Sequence, residues 1–409
     1  MTLSRLSRNT LTLLVSNIGG AILLFALSAL IGRTLGSDGL GAYAVVLAWV
    51  YPLSLLVEFG LTTLMTRDVS ANPDLIPDYM DSITRARLII GGTVMIIFIL
   101  VAPLISRDPI IITGLQVSAP MLILQAFYSQ FTTVFKVRGA MALIPLLNIG
   151  MIGVQVILTA FVLINGGTVI HALILNTVTS TGQLIAAWGF YRWQIRSLTP
   201  QAPLPRERGR QAERVGMRLW SLLRAAFPFA LAAVFAALQT RVVFYFLERS
   251  VSEAGYFSAA NRFVEAARLV PNALFGALFP MIGSTAIHAA FQRATWGLAA
   301  FGLIAGLGFT VIAPFLLTFV FGESFAAAVP TLILLGWSLA FVALRGVKTI
   351  YWYAHKREQF VNAVNALAVV LIIILSVGLI PQYGAVGAAL ATLITEIGAM
   401  ALLYMRRSP

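Results

Sequence analysis

Twelve apolar runs follow one another along this chain, at residues 10–34, 40–64, 86–106, 110–135, 142–164, 168–192, 219–247, 253–285, 294–320, 326–352, 359–380 and 384–405. A helix needs about 20 apolar residues to cross a hydrocarbon core about 30 Å thick. Lipid offers the backbone no hydrogen-bond partners, so each run has to satisfy its own amides and carbonyls, which a helix does. Only 11% of the residues are charged and 59% are hydrophobic, against about 25% charged in a soluble domain. The expectation is an all-α integral membrane protein of about twelve transmembrane helices.

The basic residues give an orientation. The formal net charge is +13, which in a soluble chain would suggest nucleic acid. With the N-terminus inside and twelve crossings, twenty Lys and Arg fall in cytoplasmic segments, among them Arg67, Arg85, Arg87, Lys136, Arg138 and Arg192. Three, Arg33, Arg107 and Arg249, fall outside. That asymmetry is the positive-inside pattern, so the basic excess reads as orientation, with both termini cytoplasmic and no nucleic-acid partner. The first run follows Arg5 and Arg8 and is longer than the about 7–15 residues of a signal-peptide apolar region, so it reads as a retained helix.

The longest polar stretch, residues 194–218, carries Pro200, Pro203, Pro205 and many Arg, and reads as an irregular cytoplasmic linker. It divides the chain into an N-terminal six-helix bundle, residues 1–193, and a C-terminal one, residues 219–409. Weak internal likeness supports a repeat. "FKVRG…IPLLNIG…FVLINGGTVIHALILNT" corresponds to "AHKRE…VNAVNAL…VGLIPQYGAVGAALATL": a basic turn, an early Asn, then a Gly-containing outer turn. Six helices separate the copies, so the repeats are parallel, as in transporters that place substrate at a repeat interface.

Several chemistries are excluded or disfavoured. There is no Cys, so thiolate and disulfide chemistry is out. His171, His288 and His355 are far apart and form no metal-ligand pattern. No P-loop, HExxH or GxSxG occurs. The outer turns ("GSDG", "RDP", "NGG", "FGES", "PQYG") leave no room for an external catalytic domain.

Five cations sit inside apolar runs: Arg241, Arg262, Arg268, Arg345 and Lys348. Each costs about 2.5–3.5 kcal/mol at a helix centre on insertion scales unless it meets water, a partner or an anionic ligand. Asn261, Glu265, Arg268 and Asn272 follow the spacing i, i+4, i+7, i+11 and lie within about 60° of one another on a helix; Arg262 lies beside them. Such a stripe should face the bundle interior or a cavity, and Pro271 and Pro280 interrupt the helix. Glu265 can pair with Arg262 or Arg268, a purely structural reading. Arg345 and Lys348, near the inner end of their helix, can snorkel to the surface. Glu265, Glu58 and Glu396 are candidates for coupling to a proton or cation, with a helix–helix hydrogen bond as the bland alternative. Gln125, Asn148, Gln155, Asn176 and Gln183 suit interhelical packing bonds or sugar hydroxyls. Trp49, Tyr51, Trp337, Tyr351 and Trp352 suit interfacial anchoring or sugar stacking.

The segments "IGRTLGSDGLGAYAVVLAWVYPLSLLVEFGLTTLMTRDVS" (31–70) and "YWYAHKREQFVNAVNA" followed by "GLIPQYGAVGAALATLITE" resemble the oligosaccharide flippase family, the Wzx-type polysaccharide transporters, which share a superfamily with lipid II flippases and multidrug and toxin extrusion transporters. The resemblance implies two six-helix bundles, alternating access with a cationic cavity, no cofactor, and an inner (plasma) membrane location. It implies export of a polyprenyl-pyrophosphate-linked sugar chain for cell-surface polysaccharide such as lipopolysaccharide, with polysaccharide polymerase or export proteins as candidate partners. The alternatives are a multidrug exporter on the same fold, which would want a buried carboxylate for a cationic substrate where the buried charge here is mainly positive, and a membrane glycosyltransferase or polymerase, which would want a long outer loop.

Overall fold

The computed structural model describes residues 3–72, 75–197, 219–278, 287–355 and 357–406. The helices are α1 (Leu3–Glu58), α2 (Leu61–Ala71), α3 (Ile76–Ile105), α4 (Pro109–Ser118), α5 (Met121–Val137), α6 (Leu143–Ile164), α7 (Val169–Ser197), α8 (Leu219–Leu247), α9 (Val251–Ala267), α10 (Leu269–Leu278), α11 (Ile287–Phe321), α12 (Val329–Ala354) and α13 (Glu358–Met405). A short 3-10 helix, Glu323–Ala328, precedes α12. There is no strand among the described residues. The linker beyond Ser197, together with Asp74, Pro280, Lys356 and Arg407, lies outside the described residues.

The protein has the twelve-helix membrane fold, but the helix boundaries differ from the run boundaries for local reasons. Runs one and two, numbered together as α1, are two helices that meet at a kink where Gly36 takes φ 68°, ψ −167°. Runs eleven and twelve, numbered together as α13, are two helices that meet at a kink at Gly384 with φ 54°, ψ −129°. At about 1.5 Å per residue the 48 residues of α13 span about 72 Å, enough for two crossings. Conversely, run two breaks after Glu58, where Phe59 (φ 49°) and Gly60 (φ 66°) adopt left-handed backbone. Run four divides at Ala119–Pro120. Run eight divides at Arg268, between α9 and α10.

Apolar side chains face outward. On α11, Leu303, Ile304, Leu307, Val311, Phe315 and Phe319 are all exposed, Val311 at 79%. In water such a stripe would drive association; against lipid tails it is the solvated face.

The chain forms two compact units. Unit 1 comprises residues 1–23, 49–162 and 170–237. Its core packs Leu61, Met65 and Val69 of α2 against Ile76, Tyr79 and Ile83 of α3 and Val134 and Phe135 of α5. Asn148 of α6 accepts hydrogen bonds from Tyr128 Oη (2.6 Å) and Gln183 Nε2 (2.9 Å). These two amides thus make the interhelical packing bonds expected of them.

Unit 2 comprises residues 24–48, 163–169 and 238–409. The second limb of α1 crosses α9 with backbone against backbone: a Cβ on Gly41 would strike the Val251 carbonyl, and one on Gly255 the Ser37 carbonyl. Two glycines therefore set the separation of these helices, the close approach that small residues allow in membranes. Arg33 closes α11 by donating from Nε to the Val320 carbonyl (2.8 Å) and from Nη2 to the Phe319 carbonyl. Its cation lies at the negative end of the helix dipole. Glu253 of α9 accepts the Ala385 amide at 2.6 Å, supporting the bend at Gly384.

Candidate functional site

The polar stripe of the eighth run is built as a connected cluster. Glu265 Oε1 accepts from Asn261 Nδ2 at 2.9 Å, and Oε2 from Arg262 Nη1 at 2.8 Å. The Arg262 and Glu265 side chains are 19% and 36% exposed, so the pair is partly wet. Arg268, three residues after Glu265, occupies the junction of α9 and α10. Pro271 has no amide to offer the Ala267 carbonyl, and α9 ends at Ala267. The chain nevertheless stays bonded: the Asn272 amide donates to the Arg268 carbonyl at 3.1 Å. Arg268 Nε is buried with no hydrogen-bond partner among the described residues, and the Asn272 side chain is exposed. The stripe thus offers one neutralised arginine and one with unspent donor capacity, next to an exposed amide.

Arg345 is held differently. Its Nη1 donates to both oxygens of Glu396 at 2.9 Å, and its Nη2 to Asn365 Oδ1 at 2.7 Å. Arg345 and Glu396 are each 13% exposed. With the Gln239 amide turned so that its oxygen faces the guanidinium, that oxygen accepts at 2.9 and 3.2 Å. Side chains from α8, α12 and both limbs of α13 therefore meet at one guanidinium. Glu396 is a second acidic neighbour for the cations, in addition to Glu265, and Arg345 is buried in a pair rather than reaching for the surface.

Lys348 lies one turn further along α12. Its Nζ stands over the rings of Tyr351 (4.4 Å), Tyr404 (5.1 Å) and Trp352 (5.8 Å). Three ring faces replace part of the ammonium's hydration, each worth about 0.5–2 kcal/mol. Trp352 itself is buried and donates Nε1 to the Leu403 carbonyl at 3.1 Å. Arg241 is half-buried on α8, and its charge bears on Tyr245 one turn later.

A sixth buried cation was not expected. Arg87, placed by the positive-inside reading in a cytoplasmic segment, is 0% exposed. It donates to the Ala126 carbonyl, to Thr62 Oγ1 at 2.7 Å, and to Ser129 Oγ and Gln130 Oε1 at 3.3 Å each. Gln130 in turn donates to Thr84 Oγ1 at 3.0 Å. Glu58, at the break between α1 and α2, acts on Arg87 through its charge. Buried cations are therefore not confined to the second half. A signal was present: Met80, Ile83, Arg87 and Gly91 share one helix face and are all buried, while Arg85, about 200° away, is 72% exposed.

The model of a family described as "Polysaccharide biosynthesis protein" matches residues 6–286. Among solved structures, a lipid II flippase, MurJ, in an inward closed conformation superposes with a TM-score of 0.74 at 15% identity, covering 97% of this chain and 86% of that one. An inward-facing multidrug resistance transporter of the MATE family gives 0.67 at 14% identity, with 95% and 94% covered. A Vibrio cholerae MATE transporter gives 0.60 at 15% identity, with 98% and 95% covered. Among curated proteins, no sequence matches this chain.

Proposed function

Because this chain belongs to the polysaccharide biosynthesis protein family, we propose that it is a membrane flippase that moves a polyprenyl-pyrophosphate-linked oligosaccharide from the cytoplasmic to the outer leaflet. The observation that carries the reading is the α9–α10 stripe: Arg262 and Arg268 near Asn261 and Asn272, with Arg268 Nε unpartnered among the described residues. A pyrophosphate accepts charge-assisted hydrogen bonds worth about 1.5–3 kcal/mol each. Two or three of them offset the dehydration of the head group, while the isoprenoid tail stays in lipid. Glu265 holds Arg262 in place until the anion competes for it. The two-bundle division at residues 194–218, with cytoplasmic termini in the plasma membrane, is the frame in which alternating access operates.

The remaining candidates take different roles in this proposal. Arg241 belongs to the path rather than the principal site. Arg345 is committed to Glu396 and Asn365, and Lys348 to its rings, so both act as supports. The exporter alternative is disfavoured because Glu265 and Glu396 are each paired with an arginine, which leaves neither free for a cationic drug.

The test is complementation of a flippase-null strain. R262A/R268A is expected to abolish surface glycan and to accumulate the lipid-linked precursor on the inner face. Full complementation by that double variant, at normal membrane abundance, refutes the proposed site. Deletion of the protein without precursor accumulation refutes the function.

A further inference from the structure

Unit 2 contains a cavity of about 800 Å³ at the end of the unit where α8 stops and α9 begins. Part of its wall is apolar, with Phe246 and Leu247 of α8 and Val377 and Ile380 of α13. Part is polar and charged, with Arg249 and Ser250 from the α8–α9 turn and Glu253 from the first turn of α9. The directions in which it opens follow from exposure. Val377 lines the cavity and is 57% exposed. With Val370 and Ile374, exposed at 51% and 62%, it follows the i, i+4, i+7 spacing of a single helix face. An apolar face left bare by the protein meets lipid tails, so the apolar side of the cavity opens towards lipid. Arg249, Ser250 and Pro381 are exposed where the helices end or kink, so the charged side opens at the membrane surface.

The two charges of the wall do not cancel each other. Glu253 Oε2 accepts the Ala385 amide at 2.6 Å. Only glycine at 384 leaves room for that carboxylate, since a Cβ there would strike it. The bond fixes Glu253 in the wall and leaves Oε1 without a hydrogen bond among the described residues. Arg249 lies four residues before Glu253, yet among the described residues it forms no ion pair with it or with any other carboxylate. Ser250, the N-cap of α9, makes no side-chain capping bond. One cavity thus offers an unpaired guanidinium, a hydroxyl and a carboxylate oxygen beside an apolar exit. Opposite charges that do not satisfy each other suit a ligand that carries both.

We propose that this cavity binds a zwitterionic phospholipid with a primary ammonium, a phosphatidylethanolamine. The ammonium donates to Glu253 Oε1, the phosphate accepts from Arg249 and Ser250, and one acyl chain leaves along Val377, Ile374 and Val370. Each head-group charge then meets its opposite through charge-assisted hydrogen bonds. A choline head group has no N–H to donate to Glu253, and a glycerol head group brings no cation to it. With the orientation read from the basic residues, the lipid belongs to the outer leaflet. The occupant is a bilayer lipid and not the transported molecule, so the site stands independently of the α9–α10 stripe.

The experiment uses the full chain, purified in a nonionic detergent and delipidated. Dioleoylphosphatidylethanolamine, dioleoylphosphatidylcholine and dioleoylphosphatidylglycerol are titrated back separately, and binding is followed by native mass spectrometry. Expected is at least tenfold tighter binding of the phosphatidylethanolamine than of either other lipid, about 1.4 kcal/mol, which one charge-assisted hydrogen bond supplies. Glu253→Gln keeps an oxygen for the Ala385 amide and should erase the preference over phosphatidylglycerol. Arg249→Gln should weaken phosphatidylethanolamine binding by about tenfold. Arg107→Gln, which alters an exposed arginine of unit 1, should leave both unchanged. Equal binding of the three lipids by the native chain, or tighter binding of phosphatidylglycerol, overturns the proposal without recourse to any variant. A preference that survives both Glu253→Gln and Arg249→Gln places the lipid elsewhere and overturns it too. Displacement of the lipid by an equal concentration of free phosphoethanolamine assigns the cavity to a soluble head group and overturns it as well.

Discussion

Replacing Glu396 by Gln removes the charge that holds Arg345. The two groups meet at 2.9 Å through both carboxylate oxygens, and each is 13% exposed. With about 4 Å between charge centres and an effective dielectric constant of about 20, the Coulomb attraction is about 4 kcal/mol. That agrees with the about 3–5 kcal/mol lost when one member of a buried pair is removed. Asn365 remains on Nη2 at 2.7 Å, but a neutral amide does not compensate the charge. R345M/E396M removes the desolvation penalty together with the attraction, leaving the Asn365 and Gln239 bonds to lose, about 1 kcal/mol each. The assay is equilibrium unfolding in mixed micelles, arranged as a double-mutant cycle. E396Q and R345M should each lose about 3–5 kcal/mol, and R345M/E396M should recover most of it. Wild-type stability of E396Q, or a double variant as unstable as the sum of the singles, refutes the structural assignment. Complementation separates this role from ion coupling: if Glu396 carries a coupling proton, R345M/E396M folds but fails to export.

Other perturbations are equally direct. R87Q should cost several kcal/mol, because four acceptors in unit 1 lose their donor, and R87K should not restore it, since one ammonium cannot span Thr62, Ser129 and the Ala126 carbonyl; the same unfolding assay reads both. K348M should retain most stability by keeping the stem against Tyr351 and Tyr404, whereas K348E should lose abundance in the membrane, measured by immunoblot against the parent. Single Cys at 261, 265, 268 and 272 in this cysteine-free chain should react with a water-soluble thiol reagent at rates well above a lipid-facing control at 311; protection of all four refutes a wet stripe.

The twelve helices were legible because their length and apolarity are local properties, readable without knowing any neighbour. The short turns read at Gly36 and Gly384 were legible for the same reason, since glycine supplies the positive φ that each break needs. At each glycine the backbone leaves the helical region and two helices meet at a kink. The Arg262–Glu265 pair was legible because its partners lie three residues apart on one helix. The Arg345–Glu396 pair was not, since 51 positions separate its members and their meeting depends on how α12 packs on α13. The burial of Arg87 was missed for a related reason. Charge asymmetry counts residues near helix ends, and it does not see that the face carrying Arg87 turns inward while Arg85 turns outward.

The crossing of Gly41 and Gly255 has a consequence for how this family varies. What each missing side chain would strike is a carbonyl, Val251's or Ser37's, and not another side chain. A clash against a side chain can be relieved by trimming the neighbour, so the two positions drift together. Here no neighbour can be trimmed, because every amino acid carries the same carbonyl. The two sites should therefore behave as separately frozen columns among relatives with this crossing, neither one able to license change in the other. Covariation methods, which need paired change to infer contact, would pass over one of the tightest approaches in the molecule.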